Sequence, residues 1–328
     1  MTNGNSSKLI TIIGGSGFLG RHAIRTLARR GYRIRVAVRR PDLAGHLQPS
    51  GKVGQIMAVQ ANLRYPDSLL AACRDADVVI NMVGVLYDAG PQTFDAVHAA
   101  GAAAAARAAR AAGAGQFIQI SAIGAAPDGA ARYARTKAEG EARAAREFPG
   151  AIVLRPSIVF GPEDQFFNRF AGLARFAPFM PVIGGGTRFQ PVFVGDVAEG
   201  IARIVDRGLA DGRVYEFGGP EIRTFRALLE FTLKTIGRRR LLVPVPFFAA
   251  SLGASIAQVL PRPLLTVDQV ELLKSDNVVS EAAIAEGRTL AGLGVAASGI
   301  EAIVPSYLYR YRKAGQFTDP DLTRGEAG

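Results

Sequence analysis

Residues 10–20 read Ile-Thr-Ile-Ile-Gly-Gly-Ser-Gly-Phe-Leu-Gly. A short β-branched run ends in three glycines spaced G-x-x-G-x-x-G, Gly14, Gly17 and Gly20, and a helix-forming segment follows. That order predicts a buried strand, a tight turn and the first turn of a helix. There the unpaired backbone N–H groups and the positive end of the helix dipole suit a pyrophosphate. Gly14 permits the turn, Gly17 lets the backbone approach the phosphates, and Gly20 lets the helix pack close to the strand. The triplet alone also fits an ordinary strand-to-helix turn. The strand before it, the helix after it and its N-terminal position favour a dinucleotide.

The chain then alternates apolar runs with stretches rich in Ala, Leu and Arg. Predicted strands cover 9–13, 33–38, 55–60, 78–82, 116–121 and 151–155, and predicted helices 21–30, 66–72, 93–112 and 132–147. This is the pattern of an α/β, Rossmann-type doubly wound parallel sheet with crossover helices. The nearly all-alanine run 101–112 reads as a closely packed crossover helix, because alanine is the best helix former. Past Phe160 the alternation weakens, leaving a strand at 191–193, a helix at 197–206 and a strand at 214–217. The expected organisation is a flexible start over 1–8, a nucleotide-binding domain over 9–160, a smaller C-terminal α/β subdomain over 161–317 interleaved with the sheet edge, and a polar tail over 318–328.

Composition narrows the function classes. The 328 residues carry 39 Lys+Arg against 28 Asp+Glu, a net charge of +11. Such a surface favours polyanions. The basic residues come as pairs and triplets (Arg29-Arg30, Arg39-Arg40, Arg238-Arg239-Arg240), with no aromatic-interleaved RNA motif and no zinc-ligand spacing. Nucleic acid and metal are therefore not expected partners. The one cysteine, Cys73, excludes an internal disulfide and reads as a small buried apolar residue. The first residues lack the apolar core of a secretory signal, and no run reaches the roughly 18 apolar residues of a membrane span. Segment 241–265 is apolar (Phe247, Phe248, Leu252, Ile256, Val259, Leu260, Leu264, Leu265), interrupted by prolines, and follows the arginine triplet. It suits either a membrane interface or partner groove, or the subdomain's own core.

The second strand ends Val38-Arg39-Arg40-Pro41. A sheet selective for NAD ends this strand in a carboxylate that bonds the ribose 2′-hydroxyl. Here Arg39 or Arg40 can instead clamp a 2′-phosphate, which favours NADPH; a solvated surface pair is the bland alternative. Asn62 and Leu63 follow the third strand, where an amide can bond the adenine edge, and Asn81-Met82-Val83-Gly84 leaves the fourth strand beneath the cofactor. Tyr133 and Lys137, four apart on a predicted helix, share one face. An ammonium beside a phenol favours the phenolate, so Tyr133 is a candidate proton donor or acceptor, and the same ammonium can bond ribose hydroxyls.

Taken together, residues 14–20, Tyr-x-x-x-Lys, Leu154-Arg155-Pro156-Ser157-Ile158-Val159-Phe160-Gly161-Pro162 and Pro191-Val192-Phe193-Val194-Gly195-Asp196-Val197 resemble the extended and atypical short-chain dehydrogenase/reductases. Finer features resemble one branch, the NADPH-binding accessory subunits of respiratory complex I and their bacterial relatives. These are the arginines after the second strand, Arg132-Tyr133-x-x-x-Lys137-Ala138-x-Gly140-Glu141, Phe160-Gly161-Pro162-Glu163-Asp164-x-Phe166-x-Asn168, Gln190-Pro191-Val192 and Pro244-Val245-Pro246-Phe247-Phe248.

The resemblance implies NADPH on a Rossmann sheet. Gly14, Ser16, Gly17, Phe18 and Leu19 would contact the pyrophosphate and Arg39 the 2′-phosphate. Asn62 and Leu63 would contact the adenine, and Val83 and Gly84 the central ribose region. Tyr133 and Lys137 would hold the nicotinamide ribose near Ser121, with Pro156, Ser157 and Ile158 lining the nicotinamide. Two positions depart from the active enzymes. The second serine after the fifth strand is Ala122, unless a one-residue slip gives Ser121 that role, and the usual asparagine of the preceding helix is His98. Groups that hold a cofactor remain, whereas groups that place a proton are replaced. The expected function is therefore an accessory subunit with little or no turnover, meeting other complex I subunits and anionic lipid at the cytoplasmic face of a bacterial inner membrane. The alternatives are a free NADPH-dependent reductase or epimerase acting on an apolar or quinone-related substrate, and a redox-sensing module.

Overall fold

The computed structural model describes residues 8–257, 265–313 and 315. The expected flexible start, Lys8 aside, and the tail over 318–328 lie outside the described residues, as do residues 258–264 of the proline-broken segment. Two compact units account for the rest. The first is drawn from Met1–Pro156, Val194–Phe217 and Val279–Ala296, and the second from Ser157–Phe193, Gly218–Val278 and Ala297–Gly328.

The first unit is built on a sheet of seven parallel strands. These are β1 (Leu9–Ile13), β2 (Arg33–Val38), β3 (Ile56–Gln60), β4 (Val78–Asn81), β5 (Gln116–Ile120), β6 (Ile152–Pro156) and the edge strand Val214–Phe217. From that edge the order runs through β6, β5, β4, β1, β2 and β3. Strand order therefore reverses beside β1, which opens a crevice at the carboxyl ends of β1 and β4. Helices on both faces explain why β1 and β5 are buried along their whole length rather than on alternate residues.

The helices of this unit are α1 (Phe18–Arg29), α2 (Pro66–Cys73), α3 (Gly101–Ala111), α4 (Arg132–Glu147) and Val194–Asp206. Helix α1 packs on Val194–Asp206, fastened by Arg30 to Glu199 and Asp206 and by the Tyr32 hydroxyl, which donates to Asp206 at 2.8 Å. Helix α3 lies between α2 and α4. Its alanines allow that close approach: Ala102, Ala105, Ala106 and Ala109 are fully buried. The predicted continuous helix over 93–112 is in fact a π-helical turn, Asp95–Ala100, running into α3. The wider turn, a feature that often marks functional sites, carries His98 into the interior.

The second unit has a core of Phe160, Phe167, Met180, Phe225, Leu228 and Leu308 among others. Parallel strands Phe179–Ile183 and Leu241–Val245 form a two-stranded ribbon on it. The Asp164 carboxylate closes the loop after Phe160 by accepting the N–H groups of Gly161, Phe166 and Asn168 and the Tyr307 hydroxyl. Segment 241–265 divides its apolar residues. Leu242 joins the core, and Val245, Phe247 and Leu265 pack on Ile183, Ala250, Ala254 and Val270, while Leu241, Phe248 and Leu252 face solvent. No helix among the described residues is long and apolar enough to cross a membrane.

Candidate functional site

The chain leaves β1 at Ile13 and turns at Gly14, whose φ of +80° lies in the left-handed region. The Gly14 N–H donates to the Ala37 carbonyl at 2.9 Å, and its own carbonyl accepts the Gly17 N–H at 3.1 Å. A Cβ on Gly14 would stand 2.8 Å from Val83 Cγ2, so the residue leaving β4 is seated against the loop. Helix α1 then begins with Gly17 as its N-cap, with no side-chain cap and no acidic residue in its first turn. Its first N–H groups are free of helical partners by geometry, and no acidic side chain of that turn competes for them. Gly20 is required for a different reason from the one expected. A Cβ there would stand 2.4 Å from the Gly15 carbonyl oxygen, so the close approach is to the loop itself rather than to the strand.

The two arginines after β2 are not equivalent. Arg40 is tied to Asp42, with Nη2 2.7 Å and Nε 3.1 Å from the carboxylate. Both side chains sit on the surface, at the start of a ten-residue 3₁₀ segment, Pro41–Ser50. Arg39 is exposed and its guanidinium has no partner among the described residues. After β3, the Asn62 Oδ1 accepts the Arg64 N–H at 3.1 Å, which leaves the amide NH₂ as the group able to donate outward. Leu63 is buried against Gly101 at the start of α3.

Beyond β4 the Met82 N–H donates to the Ile13 carbonyl at 2.9 Å, and Gly84 follows. A Cβ on Gly84 would stand 3.4 Å from Lys137 Nζ and 3.8 Å from His98 Nε2. This places the strand exit, the π-helical turn and α4 around one point. Lys137 and Tyr133 do share a face of α4, with the ammonium 5.8 Å from the phenol ring centroid. The Tyr133 ring also meets His98 and Phe94 edge to face. Lys137 is buried, and its one hydrogen bond among the described residues is to the Ile120 carbonyl at the end of β5, at 3.4 Å. Burial pushes the ammonium down to about 8 against the raising effect of Glu141, which is itself engaged by Arg155 at 2.9 and 2.5 Å.

His98 is fully committed. Nε2 accepts the Val85 N–H at 3.1 Å, so the ring proton rests on Nδ1, which faces Thr136 Oγ1 at 3.2 Å. The Thr136 hydroxyl in turn donates to the Tyr133 carbonyl. Burial and then the Lys137 charge push the imidazole down to about 3, so it is neutral at physiological pH. Ser121, the residue after β5, has a buried hydroxyl with no hydrogen-bond partner among the described residues. Ala122 follows it.

Pro156 ends β6 and gives its carbonyl to the Ile123 N–H. Ser157 and Ile158 belong to the second unit. There the Ser157 hydroxyl is taken by Asn277, 2.6 Å from Oδ1 and 2.9 Å from the carbonyl oxygen, and it also accepts the Gln190 N–H at 3.3 Å. Sequence reasoning missed Thr136 and the Val85 N–H. A signal for Thr136 was present, because Tyr133, Thr136, Lys137 and Gly140 recur at helical spacing on one face. The Val85 contact had none, since it joins elements distant in the chain.

The residues present fit a nicotinamide dinucleotide. Helix α1 has no acidic residue in its first turn, Arg39 and the buried Ser121 hydroxyl have no partner among the described residues, and Lys137 has donor capacity beyond its bond to Ile120. Comparison with known proteins agrees with a nucleotide-binding site. The chain is 33% identical over 330 residues to NADH dehydrogenase (ubiquinone) 1 alpha subcomplex subunit 9, mitochondrial, of Arabidopsis thaliana, covering 96% of this chain and 81% of that protein. It is 35% identical over 190 residues to a ceramide reductase of Caulobacter vibrioides, covering 58% of each. The fold matches that of an NADPH-dependent quinone oxidoreductase of Escherichia coli complexed with NADPH, with a TM-score of 0.72 at 19% identity over 92% of this chain and 99% of that one. Residues 10–218 match the NAD dependent epimerase/dehydratase family model, and the chain belongs to that family.

Proposed function

We propose that the chain is an NADPH-binding accessory subunit of the respiratory NADH:quinone oxidoreductase. In this reading it attaches peripherally at the cytoplasmic face of a bacterial inner membrane and keeps its nucleotide without turning it over. Gly14, Ser16, Gly17, Phe18 and Leu19 hold the pyrophosphate by backbone and loop contacts. Arg39, with Arg40 as a weaker contributor because Asp42 already occupies it, holds the 2′-phosphate. Asn62 and Leu63 flank the adenine, and Val83 and Gly84 the central ribose region. Lys137, Tyr133 and Ser121 hold the nicotinamide ribose, and Pro156, Ser157 and Ile158 border the nicotinamide. When bound, the nucleotide supplies a transferable hydride.

The observation that carries the reading is the state of His98. A neutral imidazole locked between Val85 and Thr136 cannot relay a proton without breaking the bonds that seat it. Ala122 offers no hydroxyl. The site keeps what grips a nucleotide, while His98 and Ala122 stand where the active enzymes carry groups that help to place a proton. The mitochondrial relative, similar over most of both chains, supports the assignment to the respiratory complex.

The test is capture of the tagged chain from native membranes, with mass spectrometry of both the bound nucleotide and the accompanying proteins. NADPH retained at near one per chain, together with complex I subunits, is the expected result. A monodisperse protein that never accompanies the complex would sink the proposal. A second reading, a free NADPH-dependent reductase of an apolar or quinone-related substrate, is favoured by the intact Tyr133–Lys137 pair and by the likeness to a ceramide reductase. Substrate-dependent oxidation of NADPH that Tyr133→Phe abolishes would establish it.

A further inference from the structure

The two-stranded ribbon of the second unit is apolar on both faces. Its inner residues Met180, Val182 and Leu242 are buried in the core. On its outer face the parallel register pairs Phe179 with Leu241 and Pro181 with Val243; Phe179, Pro181 and Leu241 are exposed and Val243 is half-buried. Phe179 is 55% exposed and Leu241 70%, and Phe176, three residues before Phe179, is 83% exposed. A soluble surface seldom keeps two aromatic rings and a leucine together in water without a use for them.

Cations crowd the same end of the ribbon. Arg238, Arg239 and Arg240 lead directly into Leu241, and Arg175 precedes Phe176 with its guanidinium 5.4 Å from that ring's centroid. Arg240 donates to the Ala174 carbonyl at 2.9 Å, which joins the two segments, and Arg238 donates to the Tyr311 carbonyl. Burial and the like charges of Arg240 and Arg175 hold the Arg238 guanidinium below its ordinary value. None of the four has a carboxylate partner among the described residues, although Arg30, Arg107, Arg132, Arg155, Arg188 and Arg223 are all ion-paired. Four uncompensated arginines repel one another, and the arrangement calls for an anionic counterpart.

We infer that the outer face of this ribbon, Phe179 and Leu241, with the adjoining Arg175, Phe176 and Arg238–Arg240, is the surface by which the protein docks on an anionic lipid bilayer. The inference rests on the peripheral reading proposed above and gives it a location. A bilayer supplies both required chemistries at once. Its phosphates neutralise guanidinium groups, and the boundary below them accepts aromatic and aliphatic side chains. An acidic protein surface would meet the arginines but leave the phenylalanines and leucine to find a matching hollow.

The test uses the full chain and sedimentation with vesicles of phosphatidylcholine alone or mixed with phosphatidylglycerol. The protein should sediment with the mixed vesicles only, and less as salt is raised. Arg175→Gln with Arg239→Gln, both exposed and without ion pairs, should weaken binding by about fivefold per arginine. Phe179→Ser with Leu241→Ser should weaken it at least about tenfold at unchanged thermal stability. Vesicle binding equal to wild type in both double variants overturns the inference, whether or not the chain accompanies the respiratory complex. A wild type that ignores vesicles, with arginine variants that lose the complex, points to an acidic protein partner; it overturns the lipid surface and leaves the accessory-subunit reading standing. Vesicle binding lost in both variants supports the surface, even if capture from membranes shows no respiratory complex and the accessory-subunit reading fails.

Discussion

The imidazole of His98 accepts the backbone N–H of Val85 at 3.1 Å, which fixes its tautomer and seats the π-helical turn against the exit of β4. Burial and the Lys137 charge hold this histidine at about 3, well below its ordinary 6.5. Between those two values the unfolded chain binds a proton that the folded chain refuses, so stability rises with pH across that window. Folding should therefore weaken by about 1.4 kcal/mol per pH unit as pH falls below roughly 6. Thermal melts from neutral to mildly acid pH should show that slope, and His98→Asn should flatten it. An unchanged slope in the variant would assign the acid sensitivity elsewhere.

Arg39 and Arg40 should separate in their effect on cofactor choice. Arg39 has no partner among the described residues, and a charge-assisted contact to a 2′-phosphate is worth about 1.5–3 kcal/mol. Arg39→Ala should weaken NADPH at least about tenfold while leaving NADH almost unchanged. Arg40→Ala should do much less, because Asp42 already occupies that guanidinium. Calorimetric titration with both nucleotides decides between them, and equal losses in the two variants would refute the assignment.

Lys137 titrates at about 8 because it is buried. Its ammonium, the form able to donate to ribose hydroxyls, is lost as pH rises through that value. NADPH affinity should fall between about pH 8 and pH 10, and Lys137→Met should bind weakly at every pH. Fluorescence titration of the reduced nicotinamide across that range is the check. A flat profile for the wild type would remove Lys137 from the contact.

Gly140 sets how closely α4 meets the His98 turn. A Cβ there would stand 2.0 Å from the His98 carbonyl oxygen, a backbone atom that cannot swing aside as a side chain does. Gly140→Ala should destabilise the fold by about 3 kcal/mol or more. Denaturant unfolding measures this directly, and a near-neutral result would show that α4 has room to shift.

Much of the site was legible because its parts are local. The glycine loop, Arg39, and the Tyr133–Lys137 pair each lie within one strand end, turn or helix, where backbone geometry follows from short-range sequence. The helix over 93–112 was legible in extent but not in form, because alanine content predicts helix without saying where an extra residue widens a turn. The hydrogen-bond partner of Ser157 was not legible, for a similar reason. Asn277, 120 residues later, takes its hydroxyl, and no local pattern announces such a partner.

The sequence by itself determined the order of strands and helices through the seven-stranded sheet, the anion-ready turn after β1 and the arginines that stand in place of an acid at the end of β2. These depend on residue type and spacing alone. Tertiary structure decided which arginine is free, which tautomer His98 adopts, why Gly20 must be glycine and which face of the 241–245 strand meets water. Each of those outcomes turns on a partner that only folding brings into contact: Asp42 curled back by a 3₁₀ segment, Val85 against a π-helical turn, the Gly15 carbonyl above Gly20, and a core that covers Leu242 but not Leu241.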